Sequence, residues 1–418
     1  MEATALRERW LLRLLAAASV LALYVRVVPI GSYPVTLGGI AAALVVLVSL
    51  REVRVLLLPL GVALVLLLWP LMVFEGASLL DAALMPTGAQ FLQSYGLWAG
   101  SVVLLTLAWV SARPVQLPGT YPLALAVLGV AAAQWLLAGL GSLAGFEAVA
   151  PWLEIDVAHG YLRLEPGWGV RAIGLYYEPS MCGRVVGTLA LIDFVRHRRL
   201  APTIAVLLVG LLLTQSLALL VLAATVGVIL LGRSWRGAGA LAVLALLVVA
   251  FQGSAIDQRL RNDSRMQADS SSYRRTLTPL EPLARTIADN PLGVPIGAGE
   301  LVAERTGYAA RTGEPKITNG VYEFLLYFGV FGVAALAAGV VAVGALALSG
   351  RRELAAGLLY LLLSTALSGS FLAIESSLLT YYFLVACMTA QRRSAAPMVP
   401  AWREPAIRRH AYGLPAES

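Results

Sequence analysis

Long apolar runs decide what this chain can become. Crossing a bilayer takes roughly 20 apolar residues as a helix, because each backbone group left unpaired in lipid costs several kcal/mol. Reading for such runs gives 10–29, 35–50, 54–74, 91–112, 122–145, 179–195, 200–214, 216–232, 238–252, 319–348, 353–368 and 371–390. The stretch 200–232 is too long for one ordinary span, and the polar Thr214-Gln215-Ser216 in its middle predicts two short helices. Arg13 interrupts the first run and no clean A-x-A site follows, so this run reads as an uncleaved anchor. With 59% hydrophobic and 13% charged residues over 418 positions, no soluble core could hold the apolar surface. Disorder is excluded by the same numbers. A disulfide scaffold is excluded too, since the two cysteines, Cys182 and Cys387, fall on opposite sides of a membrane. The expected fold class is an all-α polytopic membrane protein with about twelve spans.

Charge tests that count. With the N-terminus in the cytoplasm and the sides alternating, the short inside segments carry Arg51 and Arg54; Arg113; Arg196, Arg198 and Arg199; Arg233 and Arg236; and Arg351 and Arg352. Every short inside loop is basic, as the positive-inside rule requires. The outside segments carry more acidic than basic residues. The net charge of +7 therefore reflects topology, and nucleic acid is not an expected partner.

The inside loops are short, whereas three outside segments are long: 75–90, 146–178 and 253–318. Loops of such length inside a compact protein are functional or disordered. The two larger ones hold Trp152, Tyr161, Trp168, Tyr273 and Tyr308, which disordered segments lack, so they are expected to fold as caps. Residues 1–390 then form one membrane domain with its chemistry on the extracytoplasmic side. Residues 391–418 form a cytoplasmic tail, read as a disordered end, with contact to anionic lipid headgroups as the other reading.

Three constellations carry chemistry-bearing residues. The first is Arg171-Ala-Ile-Gly-Leu-Tyr-Tyr-Glu178-Pro179-Ser180, leading into a span that holds Arg184. Pro179 suits a first helical turn and places Glu178 at the helix start. Glu178 either caps the helix dipole and pairs with Arg184, or serves as a general base or acceptor-orienting carboxylate. Arg184 lies within an apolar run and should face a polar cavity or partner. The second is Ser272-Tyr273-Arg274-Arg275, followed by Asn290-Pro-Leu-Gly-Val-Pro-Ile-Gly297. Paired arginines suit a phosphate or pyrophosphate, which guanidinium binds bidentately; pairing with Glu281 or Asp289 is the plain alternative. The third is Lys316-Ile-Thr-Asn319-Gly320-Val-Tyr322-Glu323, running into Gly329-Val-Phe-Gly332. Asn319 reads as an N-cap, and Asn319, Tyr322 and Glu323 share one helix face. Glu375, near Ser368, Ser370, Ser376 and Ser377, starts the last span at the same outer boundary.

The three histidines, His159, His197 and His410, make no zinc constellation, and H-E-x-x-H, G-x-S-x-G, Walker and D-x-D patterns are missing. No metal and no cofactor is expected. A donor already activated fits what remains.

At these residues the chain resembles the Wzy-type O-antigen and exopolysaccharide polymerases, in the superfamily that also holds the WaaL ligases. The resemblance lies in Arg171…Gly174…Glu178-Pro179-Ser180, Leu213-Thr214-Gln215-Ser216, Ser272-Tyr273-Arg274-Arg275, Pro291–Gly297, and Asn319-Gly320-Val-Tyr322-Glu323 with Gly329-Val-Phe-Gly332, covering roughly 160–335. It implies a GT-C-like, metal-independent, inverting glycosyltransferase of the bacterial inner membrane, with both termini cytoplasmic and the active site facing the periplasm. The substrates it implies are undecaprenyl-pyrophosphate-linked oligosaccharides, with membrane lipids, a flippase and a chain-length regulator as partners. On this likeness Arg274 and Arg275 with Arg171 would bind the pyrophosphate, and Tyr273, Asn319 and Tyr322 would join the substrate-binding set. Glu178 would be the acceptor-side base with Glu323 as its rival, and Arg184 would hold the carboxylate or a phosphate. The ligases carry a histidine where this chain reads Thr318-Asn319-Gly320-Val321-Tyr322, which favours a polymerase over transfer to lipid A core. A flippase or transporter would predict internal repeats and a midplane site in discontinuous helices. No repeat between halves is present in the sequence.

Overall fold

The computed structural model describes residues 2–30, 33–50, 53, 56–80, 82–112, 114–140, 171–176, 178–231, 278–317, 319–367, 370, 372 and 374–395. Helix α1 (Glu2–Leu21) ends earlier than the first apolar run suggests, and an antiparallel hairpin follows, β1 (Arg26–Ile30) and β2 (Tyr33–Thr36). Pro29 has no N–H to donate to a continuing helix, and it faces Pro34 across the hairpin. The side chain of Thr36 then accepts from Gly39 N at 3.0 Å and starts α2 (Leu37–Ser49). Helices α3 (Leu57–Leu80), α4 (Gly88–Val110) and α5 (Thr120–Gly139) follow, α4 being opened by a capping box between Thr87 and Gln90.

The centre of the bundle is α6 (Pro179–His197), whose residues Met181 to Val195 are all buried. It packs against α5, α7 (Leu200–Thr214), α8 (Leu217–Leu231) and α14 (Ile374–Ala395). Lipid tails are as apolar as leucine, so helix association in a membrane leans on close approach between small residues. Gly183 and Gly187 supply that approach. A Cβ on Gly183 would lie 2.5 Å from the Ser216 Cβ, and one on Gly187 would lie 2.7 Å from Leu219 Cδ1. The two short helices expected across 200–232 are present, and Gln215, with φ of 49°, makes the turn between them.

Residues 278–317 fold into α9 (Leu280–Asp289), α10 (Gly299–Arg305) and α11 (Tyr308–Thr312) and lead into α12 (Gly320–Leu348) and α13 (Arg352–Leu367). Helix α12 is broken at Gly329, where φ is 53° and ψ is −134°. The groups freed by the break are taken up by the incoming loop: Val330 N donates to Pro291 O at 2.9 Å, and Val294 N donates to Leu326 O at 3.0 Å. Gly293, with φ of 96°, sits so close that a Cβ would lie 2.4 Å from Tyr327 O. The glycines of the second and third sequence constellations thus meet back to back.

Eleven of the twelve apolar runs carry a helix; the run 238–252 lies outside the described residues. By length and composition, four helices among the described residues suffice to cross a membrane: α3, α4, α5 and α12. The chain is a membrane protein. Side-chain contacts orient the bundle. Arg184 near the start of α6 meets Ser376 at the start of α14, and Glu323 at the start of α12 meets Ser370 just before α14. At the other end Arg198, just past α6, pairs with Glu353 at the start of α13. The N-termini of α6, α12 and α14 therefore share one end, called the carboxylate end below. Cys182 and Cys387 lie toward opposite ends, both free and buried.

Candidate active site

The segment before α6 is shaped by a residue that sequence reading passed over. Gln134, a buried amide in the last third of α5, accepts from Ile173 N at 3.1 Å and Gly174 N at 2.8 Å, and donates to Gly174 O at 2.6 Å. Ala172 N donates to Leu213 O at 2.9 Å, tying the segment to the end of α7. Gly174, with φ of 62°, turns the chain toward Glu178. A lone glutamine in the apolar run 122–145 was the signal, since a buried amide in a span needs polar partners.

Glu178 is the N-cap residue of α6, with Pro179 in the first turn. Its side chain makes no cap hydrogen bond; it accepts from the Ser180 hydroxyl. The expected pairing of Glu178 with Arg184 does not form. Arg184 turns instead toward α13 and α14, donating from Nη2 to Ser376 Oγ at 2.9 Å and to the Ser364 carbonyl at 3.4 Å. It is 3% exposed, and its Nε has no hydrogen-bond partner. The geometric reason is that Glu178 projects from the cap, ahead of the first helical turn, whereas Arg184 lies on the face that α14 covers.

Asn319 is the N-cap that its sequence predicts, accepting from Val321 N at 3.0 Å and Tyr322 N at 3.3 Å. The cap sets the first turn of α12 so that Glu323 faces inward, 3% exposed, and accepts from Ser370 Oγ at 2.6 Å. Tyr322, half-buried, packs beside Tyr308 and Ile317 from the preceding loop. Glu281 on α9 takes hydrogen bonds from Arg285 and Arg311, a surface network that pins α11 to α9. These bonds and charges hold its carboxyl below the usual range, Arg311's hydrogen bond most of all.

Ser370 and Ser376 line one cavity of about 510 Å³ among α3, α4, α12, α13 and α14. Its deep walls are mostly apolar, including Val62, Leu105, Leu336 and Leu362, with the Thr106 hydroxyl turned to the Val102 carbonyl of its own helix, whereas hydroxyls from Ser364, Thr365, Ser370, Ser376, Ser377 and Thr380 gather toward the carboxylate end. Glu323 is bonded to one serine of that wall and Arg184 to another. The structure thus brings a buried carboxylate and a buried guanidinium to one cavity, without a direct ion pair between them.

Arg171 is half-buried in the segment before α6, on the α7 side rather than on the cavity wall. Glu375 stands in the first turn of α14. Tyr273, Arg274 and Arg275 lie outside the described residues, as do Trp152, Tyr161 and Trp168. Among the described residues no group of three His, Cys, Asp or Glu side chains gathers as a metal site. Sequence reading also missed Ser101 of α4, which lines the cavity; one serine in a transmembrane run carries no distinguishing signal.

Compared with known proteins, the chain matches the family model described as WcaD colanic acid polymerase over residues 11–389. No curated protein matches it.

Proposed function

The chain belongs to the WcaD colanic acid polymerase family, and we propose that it polymerises an exopolysaccharide from undecaprenyl-pyrophosphate-linked repeat units at the periplasmic face of a bacterial inner membrane. Twelve spans then form a GT-C-like bundle with both termini cytoplasmic, residues 1–390 making up the membrane domain and 391–418 its tail. A flippase that supplies the repeat units and a chain-length regulator are its proposed protein partners.

The reaction needs no nucleotide and no metal. The bond from the donor sugar's anomeric carbon to the pyrophosphate oxygen breaks, and a bond from that carbon to the acceptor hydroxyl oxygen forms. Attack from the opposite face inverts the centre. The acceptor's proton passes to a carboxylate, and the pyrophosphate leaves on its lipid as an anion.

One observation carries the assignment of groups: Glu323 is buried and hydrogen-bonded to a serine that lines the cavity, with Arg184 behind another serine of the same wall. Glu323 is therefore preferred as the acceptor-side base over Glu178, whose serine partner, Ser180, is not part of that wall. Arg274 and Arg275, with Arg171, are assigned to the pyrophosphate from the outer side, and Tyr273, Asn319 and Tyr322 to the glycan. The break in α12 does not favour transport, because the loop at Pro291–Val294 takes up its freed groups rather than a substrate path.

The test is purified protein in lipid with synthetic undecaprenyl-pyrophosphate repeat units and no nucleotide. Ladder-like glycan products are expected. Transfer only onto lipid A core, or movement of intact lipid-linked glycan without new glycosidic bonds, would overturn the reading. Glu323→Gln should reduce ladder formation by about 10²–10⁴-fold, the usual contribution of a general base.

A further inference from the structure

We infer that the cavity among α3, α4, α12, α13 and α14 seats the polyprenyl tail of the lipid-linked substrate, with the tail's first phosphate against Ser101 and Ser376. This rests on the polymerase reading and adds to it a place for the lipid.

The cavity has the polarity of such a molecule. Its length runs along the helices, from Trp98 to Trp109 on α4, which is about 16 Å at 1.5 Å per residue. One end is walled mainly by leucine, valine and tryptophan, with the Thr106 hydroxyl bonded to its own helix, and hydroxyls crowd the other. The hydroxyl end is also the carboxylate end, where the reading places the outer membrane boundary. A lipid entering from the outer leaflet would place its head and tail in that order.

Two polar groups at the hydroxyl end lack what a phosphate would supply. Ser101 is 1% exposed and lines the cavity, yet its Oγ has no hydrogen-bond partner. A buried hydroxyl left unpaired costs roughly 1–3 kcal/mol, so such groups are normally satisfied. Arg184, directly behind Ser376, makes no ion pair among the described residues, and its Nε is bare. A buried cation in an apolar bundle calls for an anion. A phosphate oxygen between Ser101 and Ser376 would accept from one hydroxyl and give Arg184 its counter-charge through the other.

The tail itself gains little by moving from bilayer to an apolar groove, since both surroundings are alike. Affinity must come from the phosphate, and the groove decides which tails fit. That division sets the experiment. Full-length protein in detergent is titrated, by native mass spectrometry, with undecaprenyl phosphate, undecaprenol and dioleoyl phosphatidic acid. Undecaprenyl phosphate should bind at least about tenfold more tightly than either competitor, about 1.4 kcal/mol. Ala335→Trp, which fills the groove away from its polar end, should weaken binding about tenfold. Ser101→Ala, too small a change to prevent folding, should weaken it about fivefold.

Equal binding of undecaprenol would remove the phosphate from the site. Equal binding of phosphatidic acid would reduce the site to a general anionic-lipid contact. Wild-type affinity in both variants would place the tail elsewhere, while leaving ladder formation and the polymerase reading intact. Binding as expected with no polymer made from lipid-linked repeat units would instead sink the polymerase reading and leave the lipid site standing.

Discussion

The two sides of the bundle use their polar residues differently. Around α6 the helices are closed on one another, and many of their polar groups join them, although Arg196 Nη2 is left without a partner and Thr203 and Thr214 bond only within their own helix. Ser19 bonds Tyr382, Ser49 bonds Tyr381, and Thr188 bonds Tyr360. Asp193 is held by Thr120 and His197. Around α3 and α12 the picture reverses. Leu57, Leu64 and Val65 of α3 and Val333, Val340 and Val341 of α12 are exposed, as lipid-facing residues are, and the space between those helices stays open. There Ser101 is left unpaired. A polar residue in a span thus has two uses, docking a helix or meeting a substrate, and the two sides separate them. Arg184 belongs to both sides.

That double membership gives the largest expected effect. Arg184→Met keeps the unbranched stem, removes a buried charge, and leaves α6 packed against α14. Replacing a buried charge with an apolar group of similar volume is often neutral for stability. The thermal unfolding midpoint in detergent should therefore change little, while ladder formation should fall by at least about 10²-fold through lost charge stabilisation. If stability collapsed and the remaining folded fraction were fully active, Arg184 would be only a helix-docking residue.

Next come two glycines given the same substitution. Gly183→Ala pushes a Cβ to 2.5 Å from the Ser216 Cβ on the closed side, where neither helix has room to yield. It should destabilise by about 1–3 kcal/mol, the usual range for overpacking. On α3 a Cβ at Gly61 meets nothing within 4 Å. Gly61→Ala should stabilise slightly, by at most about 1 kcal/mol, from helix propensity alone. Opposite signs in thermal unfolding would sharpen the contrast between the sides. Equal losses would erase it.

The sequence reveals helices more readily than the partners of its charged residues. Apolar runs locate eleven helices, because a span must satisfy its backbone internally whatever its neighbours do. Caps are legible for the same local reason: Asn319 and Pro179 act within their own first turns. The hairpin at Arg26–Thr36 was hidden at the join between two apolar runs, since its β-branched residues extend the hydrophobic pattern of the helices on either side. Arg184 is visible as a costly charge, but its partners Ser364 and Ser376 are about 180–190 positions away, and helical spacing points only to local neighbours such as Glu178. Gln134 and Ser101 sit in runs read for their apolar length, where one polar residue does not alter the pattern. The Gly293 and Gly329 contact is legible only once the two segments are seen together.

The smallest expected effect concerns two short helices of the segment 278–317, α9 and α11, at the open side. Glu281 is exposed and joins α9 to α11 by accepting from Arg285 and Arg311. Its carboxyl is held below the usual value of about 4.3 by Arg311's hydrogen bond first and by the charges of Arg285 and Arg311 next. A depressed carboxylate contributes stability that is full above its unfolded pKa and is lost as pH falls through its folded pKa. Glu281→Gln should therefore speed amide exchange in α11 at neutral pH, and the difference from wild type should vanish once acid has protonated the wild-type carboxyl. Added salt should shrink the difference as well, because exposed pairs are screened. A difference that persisted in acid would mean that the side chain's size, not its charge, holds α11 to α9. The closed side around α6 should show no such change with Glu281→Gln, since nothing in its packing depends on this surface pair.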